Sequence, residues 1–193
     1  VPATAATGAP ATRPAGSASL PPEVARALVG FAAARSFRSR GVVVMRSTGS
    51  RTEVRLDYVA PDRLLLVATG QRPEQNDAIV IIGETVYVKA GDAWLKLEGA
   101  QGRQAAARFL RLFDPRALLV EAGAATHTPA GSEPVDGEPC AVFAFTDSAG
   151  GTGRLWIARR DGLVRRMERR TSATDLTMTL SDYNQPLTIE SPL

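Results

Sequence analysis

Hydrophobic and polar positions alternate strictly through RTEVRLDYV, residues 51–59, with Val54, Leu56 and Tyr58 on one side and Glu53, Arg55 and Asp57 on the other. That period of two predicts a strand that is dry on one face and wet on the other. Ala60-Pro61-Asp62 then turns the chain, and the alternation stops. Leu64, Leu65, Leu66 and Val67 follow without a polar break, so a strand over 63–69 wants apolar cover on both faces. Residues 36–46 repeat the half-wet pattern, with Phe37, Val43 and Met45 on one face and Arg38, Arg40 and Arg46 on the other.

The segment NDAIVIIGETVYVKA predicts a tight hairpin with Gly83-Glu84 as its loop. Ile82 then pairs with Thr85 and Ile81 with Val86. One face carries Ile79, Ile81, Val86 and Val88, and the other carries Val80, Ile82, Thr85 and Tyr87. Trp94 to Leu97 forms another short strand. Further strands are expected over 124–130, 139–146, 153–160, 163–172 and 174–183, the last with Leu176, Met178 and Leu180 opposite Thr177, Thr179 and Ser181.

Elsewhere the period changes to that of a helix. After Pro21-Pro22-Glu23, where prolines suit a helix start, Val24, Ala27, Leu28 and Phe31 make one apolar stripe. In GRQAAARFLRLF the residues Ala106, Phe109, Leu110 and Phe113 make a second. Asp114-Pro115 supplies a cap and first-turn proline for a third helix, RALLVEA, stopped by Gly123. Strands joined by short connections with no alternation of strand and helix predict an α+β architecture. The expected form is a large curved antiparallel sheet, its dry face covered by three amphipathic helices. Those helices cover one side only. The other face of 63–69 is left to the leader, to a partner, or to a shifted register.

A chain of 193 residues, 44% hydrophobic and 22% charged, fits one soluble domain, here placed over 21–193. Residues 1–20 are an Ala/Thr/Pro/Gly/Ser tract with one charge, read as a disordered linker. It has no basic n-region or apolar h-region and is not itself a signal peptide. It suits a processed exported protein, a lipoprotein trimmed just after its anchoring cysteine, or a boundary introduced by cloning.

The net charge of +3 rests on arginine rather than on a polybasic tract. Its densest stretch, RRDGLVRRMERR, is divided by the turn signal Asp161-Gly162, which spreads the arginines over two strands. With no recognition motif and no stacking aromatics beside them, they do not predict a nucleic-acid partner. Cys140 is the only cysteine, so an intramolecular disulfide and a cysteine-rich zinc site are excluded.

The phrases DYVAPDRLLL, IVIIGETVYVKAGDAWLKL, VDGEPCAVFAF, GRLWIARRDGLVRRME and TMTLSDYNQPLTIESP resemble those of the LolA-like lipoprotein carrier superfamily, including the LppX-LprG-like envelope lipoproteins of mycobacteria. The resemblance spans about residues 22–193 and consists of strand and turn phrases, so it speaks for fold before ligand. It implies an open, unclosed β-barrel wrapped around helices, with a cavity between them that holds acyl chains. By the same resemblance the protein is a non-enzymatic binder or transporter of a lipid or lipoprotein acyl chain in the periplasm or cell envelope. The alternative is a sensor or regulatory module of similar fold that binds an envelope protein partner or meets a membrane surface.

The remaining candidates for chemistry are few, and no cofactor or metal is expected. His127, the sole histidine, has no Cys, Asp or Glu beside it at ligand spacing, and a hydrolase would have only this imidazole as its base. Asp136, Glu138 and Asp161 flank glycines in turns, where they serve the turn itself. Gly150-Gly151-Thr152-Gly153 reads as a hairpin loop, without the Lys and helix of a phosphate cradle. Cys140, at the start of a strand, reads as a buried, inert thiol.

The candidate ligand-binding positions are therefore the dry face: Phe37, Val43, Met45, Val54, Leu56, Tyr58, Ile79, Ile81, Val86, Val88, Leu176, Met178 and Leu180. Phe31, Phe109 and Phe113 face it from the helices. Trp156 and Met167 join it if the Asp161-Gly162 hairpin has a two-residue loop, whereas a three-residue loop separates them. Arg38, Arg40, Arg165 and Arg166 are the candidates for meeting an anionic head group at a rim.

Overall fold

The computed structural model describes residues 20–71 and 76–110, the backbone of 111–113, and residues 125–193. The predicted 1–20 leader, apart from Leu20, which packs against the main core, and the predicted helix over 116–122 lie outside the described residues. Helix α1 (Pro22–Ala32) is followed by β1 (Ser36–Met45), β2 (Arg51–Val59), β3 (Arg63–Thr69), β4 (Asp77–Ile82), β5 (Thr85–Ala90) and β6 (Ala93–Leu97). Helix α2 (Gly99–Phe113) precedes β7 (Thr126–Val135), β8 (Glu138–Thr146), β9 (Thr152–Ala158), β10 (Val164–Arg170) and β11 (Thr174–Ser181).

The eleven strands among the described residues form one antiparallel sheet in the order β6-β5-β4-β3-β2-β1-β11-β10-β9-β8-β7. Each half of the chain builds a meander, and the two meanders join where β1 pairs with β11. Strands β6 and β7 remain at opposite ends of that order, so the barrel is open, as the resemblance implies.

Inward and outward positions follow from register. Tyr58, Leu64, Ile81 and Val86 lie in one cross-strand row, and all four are buried in the main core. The α1 stripe Val24, Ala27, Leu28 and Phe31 packs into the same core beside Phe37, Leu155, Ile157 and Leu180. On α2, Ala106 is buried, and Phe109 and Leu110 pack against that core. The Gly83-Glu84 hairpin has the expected register, Ile82 opposite Thr85 and Ile81 opposite Val86.

On β3 to β5 the outer face also carries an apolar cluster, and the segment after β11 covers it. Leu65 points outward in a row with Val80 and Tyr87. Ile189, in the segment after β11, is 3% exposed and packs with Val80 and Tyr87, while Val59, Leu65, Ile82 and Trp94 border them. The segment is fixed along its course: Ser36 Oγ donates to the Gln185 carbonyl at 2.6 Å, and Arg63 Nη1 donates to the Ile189 carbonyl at 3.3 Å. Neither leader nor partner is needed at this spot.

A second outer cluster, Val135, Cys140, Val142, Trp156 and Ala158, lies on β7, β8 and β9. Here the sequence reading needs correction. A bulge between Val164 and Arg166 shifts the β9–β10 register, so Met167 pairs with Leu155 while Trp156 pairs with Arg166. Trp156 therefore faces outward, away from Met167. Its Nε1 donates to Glu133 at 3.0 Å, and the Arg166 guanidinium stacks 4.9 Å from its ring centre. Strand β7 also runs to Val135 instead of stopping near 130. Its own bulge, between Pro129 and Gly131, lets a proline-bearing strand stay paired with β8 at the sheet edge.

Candidate ligand cavity

Two cross-strand rows on the inner face build the site. The first runs Gly41, Met178, Met167, Leu155, Phe143 across β1, β11, β10, β9 and β8. Gly41 leaves room for its neighbour: a Cβ there would stand 2.8 Å from Met178 Cγ. The second row runs Leu176, Arg169, Gly153, Phe145, His127 across β11, β10, β9, β8 and β7. At Gly153 a Cβ would stand 2.5 Å from Phe145 Cζ, so the absence of a side chain lets the phenyl ring lie across the strand.

Helix α1 approaches these rows with Leu28 and Phe31, and a cavity of about 130 Å³ lies between helix and sheet. Its wall is apolar for the most part, made by Leu28, Phe31, Phe145, Leu155, Val164, Met167, Leu176, Met178 and Leu180. Three polar residues, His127, Asp147 and Arg169, join the lining.

Arg169 and Asp147 neutralise each other. Arg169 donates to Asp147 Oδ2 from Nε at 2.7 Å and from Nη2 at 2.6 Å. The other carboxylate oxygen accepts the Gly151 and Ala149 amides at 2.8 and 3.0 Å, which closes the β8–β9 loop. The Arg169 bond, helped by those amides, holds the Asp147 carboxyl below its ordinary range against the opposing effect of burial.

His127 is 9% exposed, and its ring lies 5.9 Å from that of Phe145. Nδ1 is 3.2 Å from the Ala125 carbonyl oxygen, and Nε2 is buried with no hydrogen-bond partner among the described residues. Burial pushes its pKa below the ordinary value, and the bond to Ala125 opposes this.

Of the dry-face positions read from the sequence, Phe31, Met167, Leu176, Met178 and Leu180 line the cavity. Phe37, Leu56, Tyr58, Ile81 and Val86 are buried in the main core, with Ile79, Val88 and Phe109 packed against it. Val43 and Val54 are half-buried, while Met45 is 41% exposed near the end of β1. The side chain of Phe113 lies outside the described residues.

The rim arginines are otherwise employed. Arg38 pairs with Asp57 and Asp182, Arg165 with Glu138 and Asp161, and Arg166 with Glu168. Neither these nor Arg40 line the cavity, whereas Arg169 does. His127, Asp147 and Arg169 were not legible as a group, because their meeting depends on the pairing of β7 through β10. Phe145 carried a usable signal, since it alternates with Ala144 and Thr146 in its strand, whereas Leu155 opens the apolar run Leu155-Trp156-Ile157 and carried none.

Cys140 is fully buried, and burial raises its thiol pKa. Among the described residues no group of three His, Cys, Asp or Glu side chains is placed to hold a metal ion. No described helix is long and apolar enough to cross a membrane.

No protein-family model matches the chain, and no curated protein matches it in sequence. Solved structures do match. Lipoprotein LppX of Mycobacterium tuberculosis aligns with a TM-score of 0.66 at 18% identity, over 87% of this chain and 96% of that one. LprF from Mycobacterium bovis aligns with a TM-score of 0.61 at 15% identity, over 88% of this chain and 95% of that one. At such identities the likeness concerns the fold. The chain has the fold of LppX and LprF, an open β-barrel, as its strand and turn phrases imply.

Proposed function

We propose that this protein is a non-enzymatic binder of an acylated ligand, a lipid or lipoprotein acyl chain, in the bacterial cell envelope. One ligand-binding domain over residues 21–193 carries the activity. The observation that carries this reading is the apolar cavity between α1 and the inner face, at a point where helix and sheet would otherwise close on each other. Met167 and Met178 in its wall are unbranched and adaptable, which suits a flexible occupant.

Each buried methylene contributes about 0.8 kcal/mol, so even part of one acyl chain gives useful affinity without any reaction. The shared fold with a mycobacterial lipoprotein supports the envelope location.

Organic extraction of the purified protein followed by mass spectrometry tests the reading. A stoichiometric copurified lipid is the expected result. A clean extract, together with no displacement of a fluorescent fatty-acid probe by long-chain lipids, contradicts it.

A further inference from the structure

We propose that the cavity selects an apolar chain bearing a hydroxyl group, and that this hydroxyl donates a hydrogen bond to Nε2 of His127. The inference rests on the lipid-binding reading above and adds the chemistry of the ligand's polar group.

The Ala125 carbonyl oxygen can only accept, so the contact at 3.2 Å places the imidazole proton on Nδ1. Nε2 then presents a lone pair. That atom is buried and has no donor among the described residues, in a side chain itself only 9% exposed. Buried acceptors are costly unless met, and nearly all find a partner.

The described residues of the cavity wall do not supply one. Phe145, Leu155, Met167 and Leu176 have no donor to offer, and Arg169 directs Nε and Nη2 to Asp147. The desolvation that lowers the His127 pKa keeps the ring neutral near neutral pH and so preserves the lone pair. An ester, an ether or an ionised carboxylate brings only further acceptors. An alcohol brings the missing donor, and its alkyl chain fits the apolar wall.

The test compares hexadecanol with hexadecyl methyl ether, which differ by one hydrogen-bond donor, in displacing phenylnaphthylamine from the delipidated protein. The alcohol is expected to bind about tenfold more tightly. In His127→Phe the two compounds should bind alike. Because His127 is the only histidine, nitrogen NMR gives a second readout on the unmodified protein. The Nε2 resonance should move with the alcohol and stay in place with the ether.

Equal affinities in the unmodified protein, as when a water molecule already serves Nε2, overturn the inference, and so does a preference that persists in His127→Phe. If the ether binds and no preference exists, the lipid-binding reading survives alone. If neither compound binds, both fall.

Discussion

Arg63 on β3 holds Ile189, 126 residues later in the chain, by a hydrogen bond from Nη1 to the Ile189 carbonyl at 3.3 Å. The contact closes the terminal segment over Val80 and Tyr87, which would otherwise form an apolar patch on the outside of the sheet. Ile189→Ala should therefore destabilise the protein by about 2–3 kcal/mol, the lower part of the range for a large-to-small change at a buried site. Urea unfolding measures this. A loss below about 0.5 kcal/mol would mean that the segment merely rests on the sheet.

Tyr183 sits just beyond β11, where its hydroxyl donates to the Val164 carbonyl at 2.8 Å. Burial raises its pKa, so the folded state retains the phenolic proton after the unfolded chain has begun to lose it. The stabilisation is complete below the unfolded value of about 10 and is lost as pH rises past it. Stability measured between about pH 9 and pH 11 should fall more steeply in the unmodified protein than in Tyr183→Phe. Parallel curves would contradict this placement of the ring.

Both tryptophans stand outside the cavity, Trp94 beside the Ile189 cluster and Trp156 under Arg166 on the outer face. Saturating the cavity with a nonfluorescent lipid should therefore leave intrinsic tryptophan emission nearly unchanged. A large shift would place the ligand on the other side of the sheet.

The fold was largely legible because it depends on local pattern. Period-two alternation places Leu56 and Tyr58 inward, the Gly83-Glu84 turn sets the β4–β5 register, and the stripe from Val24 to Phe31 identifies the buried side of α1. The errors come from what local pattern does not encode. One bulge near Arg166 reverses Trp156 relative to Met167, and Ile189 has no periodic strand around it to mark it as core. The polar residues of the cavity were hidden for a related reason. His127 and Arg169 lie far apart in sequence and share a row only through three successive strand pairings.

Met178 faces the cavity over Gly41, so enlarging it fills the space where a ligand would lie. Met178→Trp should weaken fatty-acid probe binding by about tenfold or more while costing no more than about 1–3 kcal/mol of stability. Unchanged affinity in a folded variant would move the binding site elsewhere.

The most direct measurement uses the three methionines, labelled with carbon-13 at their methyl groups and followed by NMR as a long-chain lipid is added. Met167 and Met178 line the cavity, while Met45 is exposed near the end of β1 and serves as an internal control. The account predicts that the Met167 and Met178 signals shift in saturable fashion and that Met45 stays in place. A shift of Met45 alone, or no shift of Met167 and Met178 at saturating lipid, would contradict it.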